Sequence, residues 1–420
     1  MSGRTAAPWT SVRPHRPLAL QIANLMGGAL AGCGVPSLDP HVLTAAAQGR
    51  TGLEDFGNDH FREPFRILTW SLACEARLNP VGRFLVRAQL VTLLANRLRM
   101  QHDWTRHPEI LDRPVRAPLI IVGLPRAGGT IIHHLLSMDP ANRCLLHWEA
   151  VSPSPPPQRS TYETDARRRR ARRTLGILYR MAPAAWAIQP QEAHLPTECI
   201  SLLAHSFASA EFPIIHRVPS FQNWWLGADL SSHYAYYRRQ LQLLQWRCAG
   251  ERWVLKSPAH LFALDVLLQT FPDALIVHLH RDPLEILASF CSMVAALRGV
   301  GTDTVDLREI GASWSEAWGI ALERALLARQ RAGSARILDL LFEDVAGDPV
   351  AAVRRICGHF GLPLDATTQA RMRQLADHRA GRRSGRQGHC LEQFGLDAKV
   401  EGARFAGYVE AYGLRKRGLP

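Results

Sequence analysis

At 420 residues, 47% hydrophobic and 21% charged, the chain has ordinary globular composition, enough for one large domain with extensions or for two domains. A formal charge of +13 suits a polyanionic ligand, nucleic acid or a membrane surface equally, and only Lys256, Lys399 and Lys416 are lysines among 50 basic residues, a skew that weakens inference from net charge and singles out each lysine. No apolar run approaches the roughly 18 residues of a membrane span, so stable membrane insertion is not expected, and eight scattered cysteines without a CxxC pair suggest neither a zinc site nor a disulfide framework.

Residues 17–33 (PLALQIANLMGGALAGC) follow several arginines and end like a lipoprotein cleavage box. Gln21, Asn24 and three glycines make a poor apolar core for a secretory leader, so a cytoplasmic protein is expected. Apolar residues then recur at helical spacing over 59–78 and 82–100, and 1–115 reads as an N-terminal helical extension. The punctuation changes at 118–123 (PLIIVG), a β-branched run entering a Gly-rich turn and then the helical stretch IIHHLLSMD. Strand followed by helix recurs at WVLK (253–256), at LIVHLH (275–280) and at ARILDLLFEDV (335–345). This alternation predicts an α/β fold for 116–365, a P-loop-type parallel sheet flanked by helices with a helical insertion at 150–250. The insertion holds a Pro-rich turn, an arginine run at 167–173 and an aromatic stretch at 207–237, while 366–420 reads as a helical tail with a basic loop. The arginine run reads most simply as the solvated face of a helix, with docking of an acidic partner as the sharper alternative. It lacks the interleaved aromatics of a nucleic-acid surface, and no nucleic-acid partner is expected.

Gly123–Thr130 (GLPRAGGT) lies between a predicted strand and a predicted helix. Backbone N–H groups of such a turn converge on an anion, and the helix N-terminus adds partial positive charge. Against the ATPase pattern G-x-x-x-x-G-K-[ST], both glycines and the Thr are present, but Gly129 stands at the lysine. That substitution removes the main countercharge for the β- and γ-phosphates of ATP and argues against a kinase or ATPase. Lys256 ends a strand at the presumed carboxyl edge of the sheet, where α/β sites lie. His278 and His280 would share one strand face and invite a metal reading, yet no carboxylate or third His lies at a supporting spacing, and no metal is expected.

GLPRAGGT, the IIHHLLSMDP and WEA after it, and the segment from WVLK through HRDPLEILASF (253–290) together resemble the donor-binding segments of sulfotransferases, the bacterial enzymes and tyrosylprotein sulfotransferases above all. The resemblance implies transfer of a sulfuryl group from 3′-phosphoadenosine 5′-phosphosulfate (PAPS) to a hydroxyl or amine of a small-molecule or carrier-bound acceptor. It implies that Gly123, Pro125, Arg126, Ala127, Gly128, Gly129 and Thr130 hold the phosphosulfate end, with Arg126 at its bridge. Arg281 and Ser289 would hold the 3′-phosphate, and Lys256 would stabilise charge on the leaving oxygen. Ala127 and Gly129 stand where relatives usually carry Ser and Thr; each missing hydroxyl removes a hydrogen bond worth about 1.5–3 kcal/mol. The competing reading is therefore a divergent member with altered donor use or a scaffold role. Three residues are candidates for the general base: His260, four residues after Lys256; Glu149, near the position of the tyrosylprotein enzymes' Glu; and His194 in QEAHLPTE. In GRRSGRQGHCLEQFGLD, Gln387 and His389 replace a family His and Tyr, and Arg382, Arg383 and Arg386 would close over the nucleotide.

Overall fold

The computed structural model describes residues 36–181, 192–380 and 390–414, with Ser11, Val12 and a few positions between 20 and 27. Most of the 17–33 stretch, and Arg382, Arg383, Arg386, Gln387 and His389, lie outside the described residues.

Several helices begin where a short polar side chain takes up the first free amides. Asp39 accepts from His41 N and Val42 N to start α1 (Pro40–Thr51), which Gly52 ends at a φ of 69°. α2 (Arg62–Cys74) and the 27-residue α3 (Pro80–Arg106) follow. β1 (Leu119–Gly123), α4 (Gly129–Leu136), β2 (Asn142–Cys144) and α5 (His147–Val151) form the first α/β segment. The insertion supplies α6 (Ala166–Met181), α7 (Ile200–Leu203), α8 (Glu211–Ile215), α9 (Pro219–Gly227) and α10 (Ser231–Gln245). β3 (Arg252–Lys256) leads through a 3₁₀ turn, Pro258–Ala263, into α11 (Leu264–Thr270), and β4 (Leu275–His280) leads into α12 (Pro283–Gly301) and α13 (Leu307–Ala332). β5 (Ile337–Leu341) precedes α14 (Phe342–Gly347), α15 (Pro349–Phe360) and α16 (Ala366–Ala380). Asp282 caps α12 by accepting from Leu284 N, and Pro283 occupies a position whose amide would be free anyway. The Arg-Asp-Pro triplet thus stops β4 and starts α12, leaving Arg281 at the carboxyl edge of the sheet.

The main sheet has five parallel strands ordered β2-β3-β1-β4-β5, and Ser11–Val12 pairs antiparallel with Val305–Asp306 in a separate two-stranded ribbon. Four of the five were legible in the sequence; β2 is the three-residue NRC, too short and polar to stand out. Alternate residues of β1 enter different cores, Ile120 and Val122 with the long helices, Leu119 and Ile121 with α4 and α15. The first of these cores runs from Leu38 to Leu414, so the N-terminal helices and the tail share it with the sheet. Among the described residues α12 is the one helix long and apolar enough to cross a membrane, and here it packs against α3 and α13. Because β1 lies between β3 and β4, the chain leaves it on one side and returns on the other. The loops after β1, β3 and β4 therefore part around a crevice at the carboxyl edge.

Candidate active site

The turn after β1 is built by glycines at positions where side chains do not fit. Gly123 has a φ of 139°, and a Cβ on it would lie 2.4 Å from the Leu279 carbonyl oxygen. Gly128 has a φ of 92°, and its Cβ would lie 2.9 Å from Val345. Arg126 between them also takes left-handed backbone, with a φ of 66°. A Cβ at Gly129 would lie 3.3 Å from Lys256 Cε, so the absence of the family's Thr lets the lysine close onto the loop. Ala127 points away from the crevice into the apolar cluster between α4 and α15. There a methyl group is the better fit than a hydroxyl.

Lys256 is buried at the end of β3, where it pairs in register with Ile121. Its Nζ donates to Thr130 Oγ1 at 3.2 Å and to Glu198 Oε1 at 2.5 Å. Glu198 is carried there because the next residue, Cys199, donates its amide to the Lys256 carbonyl at 3.1 Å. Arg281 meets the same loop from β4, with Nη1 donating to the Arg126 carbonyl at 2.9 Å, Nε pairing with Glu285 at 3.1 Å and its guanidinium over the Phe342 ring. Four of the anticipated side chains and backbone groups, at Arg126, Thr130, Lys256 and Arg281, thus line one cavity, together with Gly123, Pro125, Gly128 and Gly129. The cavity measures about 920 Å³ and its wall is mainly apolar, contributed by α3, α6, α8 and α12.

None of the three anticipated bases lines this cavity. Glu149 is fully buried within α5, where both carboxylate oxygens bond to the Arg143 guanidinium and one accepts from Leu146 N at 3.1 Å. It neutralises a buried arginine, which occupies its lone pairs. His260 is fully buried in the 3₁₀ turn after β3, with Nδ1 2.9 Å from the Tyr234 hydroxyl, and burial pushes its pKa down to about 3. The turn's geometry rotates its ring into the core while Pro258, Ala259 and Phe262 face the cavity. His194 stands on the surface 3.4 Å from Glu192. Ser289 is half-buried in α12 off the cavity wall, whereas its neighbour Phe290 lies on it. Two carboxylates line the cavity: Glu211, which accepts from Gln89 Nε2 at 2.9 Å, and, beside Lys256, Glu198. The only signal of Glu198 in the sequence was a Pro-Thr-Glu turn ahead of a short apolar helix, with nothing to tie it to Lys256.

The histidine pair also differs from expectation. Across the sheet, β5 brings Asp339 opposite His278, so a carboxylate does join the two imidazoles, with ligand atoms within 4.8 Å of one another. His280 is hydrogen-bonded to Asp339 at 3.0 Å and to the Tyr408 hydroxyl at 2.8 Å, and Arg329 holds the other Asp339 oxygen at 3.0 Å. The guanidinium beside the carboxylate supplies the positive charge that a cation would bring.

The sequence profile of the sulfotransferase family matches residues 118–366. Among solved structures the chain is similar to sulfotransferase STF1 from Mycobacterium tuberculosis H37Rv, with a TM-score of 0.76 and 33% identity over 88% of this chain and 98% of that one. It is also similar to sulfotransferase STF9 from Mycobacterium avium, with a TM-score of 0.81 and 29% identity over 92% of this chain and 99% of that one. Among curated proteins, omega-hydroxy-beta-dihydromenaquinone-9 sulfotransferase Stf3 of Mycobacterium bovis is 26% identical over 276 residues, 62% of this chain and 67% of the relative.

Proposed function

The chain belongs to the sulfotransferase family, and from that premise we propose that it moves a sulfuryl group from PAPS to a hydroxyl on a long, largely apolar acceptor. The observation that carries this reading is the Lys256–Glu198–Thr130 contact, which opens into a cavity with mainly apolar walls. The residues fit the donor: Gly123, Gly128 and Gly129 leave a cradle that side chains would fill, and Arg126, Lys256 and Arg281 supply three cations around it. When bound, PAPS supplies an activated sulfuryl group with adenosine 3′,5′-bisphosphate as the leaving group.

The protein's own part is positioning and charge. Lys256, braced by Thr130 and Glu198, presents a compact ammonium to the oxygen that gains charge as the bond to sulfur breaks. Glu198 takes the acceptor hydroxyl's proton, since it is the cavity carboxylate beside the reacting end. Arg281 is held by the loop carbonyl and by Phe342, which lowers the entropy cost of gripping a phosphate.

The apolar walls favour an acceptor whose hydroxyl sits on an extended hydrocarbon body; Stf3 is named for an ω-hydroxylated menaquinone derivative. A reducing, cytoplasmic setting belongs to the same proposal, in keeping with seven described cysteines that are all free thiols. The test is to titrate purified protein with adenosine 3′,5′-bisphosphate, then supply radiolabelled PAPS and detergent-dispersed hexadecanol. Nucleotide binding with label on the alcohol is expected. No binding at millimolar nucleotide would refute donor use and favour a scaffold that keeps the fold.

A further inference from the structure

Three guanidiniums on the cavity wall are paired with neither of its two carboxylates, Glu198 and Glu211. Arg50 from the last turn of α1, Arg99 from α3 and Arg170 from α6 all line the cavity. Arg50 is steered there by its Nη1, which donates to Thr92 Oγ1 at 3.2 Å. Thr92 is itself a cavity residue, two turns before Arg99 on the same face of α3. Arg99 is half-buried, and its pKa is lowered by burial and then by the charges of Arg50 and Arg170. Of the other cavity cations, Lys256 pairs with Glu198, Arg167 with Asp165 and Arg281 with Glu285, while Arg126 belongs to the loop after β1. Among the described residues, Arg50, Arg99 and Arg170 form no ion pair.

Like charges gathered at a partly desolvated wall repel one another, and a fold that keeps them has a use for the field they make. Guanidinium forks from three elements are the arrangement that grips a phosphate or carboxylate from several sides. These arginines are also distinct from the donor's cations, since Arg281 bonds to the loop carbonyl of Arg126 and Lys256 to Thr130. Cavity residues run along α3 from Gly82 to Arg99, about 25 Å of helix at the usual rise, and Leu85, Leu93, Met293 and Leu297 are among the apolar ones.

We propose that Arg50, Arg99 and Arg170 form an anion subsite for a phosphate or carboxylate carried by the acceptor. The substrate is then an amphiphile whose nucleophile lies at Lys256 and whose anionic group rests on the arginine cluster. The position of the nucleophile rests on the transfer reading above; the binding of the anion does not.

Calorimetric titration of the full chain with dodecyl phosphate, dodecanol and inorganic phosphate, in the wild type and in an Arg99→Gln/Arg170→Gln variant, tests the proposal. Dodecyl phosphate is expected to bind about tenfold more tightly than either other probe, and the variant to lose that advantage while adenosine 3′,5′-bisphosphate affinity stays within about twofold. Equal affinity for dodecyl phosphate and dodecanol in the wild type, or an advantage that survives in the variant, overturns the subsite. Inorganic phosphate binding as tightly as dodecyl phosphate overturns the acceptor assignment in favour of free phosphate. Loss of binding to phosphatidylglycerol vesicles with unchanged dodecyl phosphate affinity also overturns it, and makes the cluster a membrane contact. A chain that ignores the bisphosphate but keeps an arginine-dependent preference for dodecyl phosphate removes the transfer reading alone.

Discussion

Lys256 and Glu198 face each other across 2.5 Å, and each depends on the other for its role. Replacing the carboxylate by an amide keeps the shape and removes the proton acceptor of the proposed mechanism. Glu198→Gln is therefore expected to lower kcat by about 10²–10⁴-fold, the usual range for a general base, while nucleotide affinity stays near wild type. Single-turnover kinetics beside a binding titration read the two effects separately, and an unchanged kcat removes Glu198 from the mechanism. Glu149 is a different case, because its partner Arg143 is buried with it. Glu149→Gln leaves that arginine without a counter-charge and is expected to cost about 3–5 kcal/mol in urea unfolding, with kcat close to wild type in the folded fraction. A stable Glu149→Gln protein without turnover would return the base to that position.

At the scale of elements, the cavity depends on how closely α3 and α12 approach. Gly82 near the start of α3 touches the end of α12, and a Cβ there would lie 2.2 Å from the Gly301 carbonyl oxygen. The two glycines let backbone meet backbone, which brings the α3 and α12 walls together along one cavity. Gly82→Ala must push the helices apart, at a cost of about 1–3 kcal/mol for an overpacked contact. We expect a lower melting temperature and a raised acceptor KM, with bisphosphate affinity unchanged because the loop after β1 lies on other elements. An unaltered melting temperature would mean that the crossing is softer than its geometry implies.

Over the whole molecule, burial of neutral imidazoles couples stability to pH. Burial pushes the pKa of His60, His133 and His260 down to about 3, and that of His147, His205, His216 and His233 to about 4. The unfolded chain takes up these protons near pH 6.5 and the folded chain does not. Their contribution is fully present above about pH 6.5 and is lost as pH falls toward those values, by up to about 1.4 kcal/mol per unit for each histidine. Melting at pH 5.5 is expected well below melting at pH 7.5, and equal midpoints would contradict the neutral, buried state. The same distinction between local and global marks what could be known beforehand. Strand–helix alternation, the glycine turn and the place of Lys256 at a strand end were legible by themselves, because periodicity, φ-permissive residues and strand ends are written in short stretches of chain; Arg126 and Arg281 were singled out by family resemblance. The partner of Lys256, the burial of Glu149 and His260, the arrival of Asp339 beside the histidines and the meeting of Arg50, Arg99 and Arg170 were not. Those follow from the strand order and from helices that return to the sheet from distant segments. A contact such as Arg281 on the Arg126 carbonyl joins residues 155 apart, and no spacing rule reaches that far.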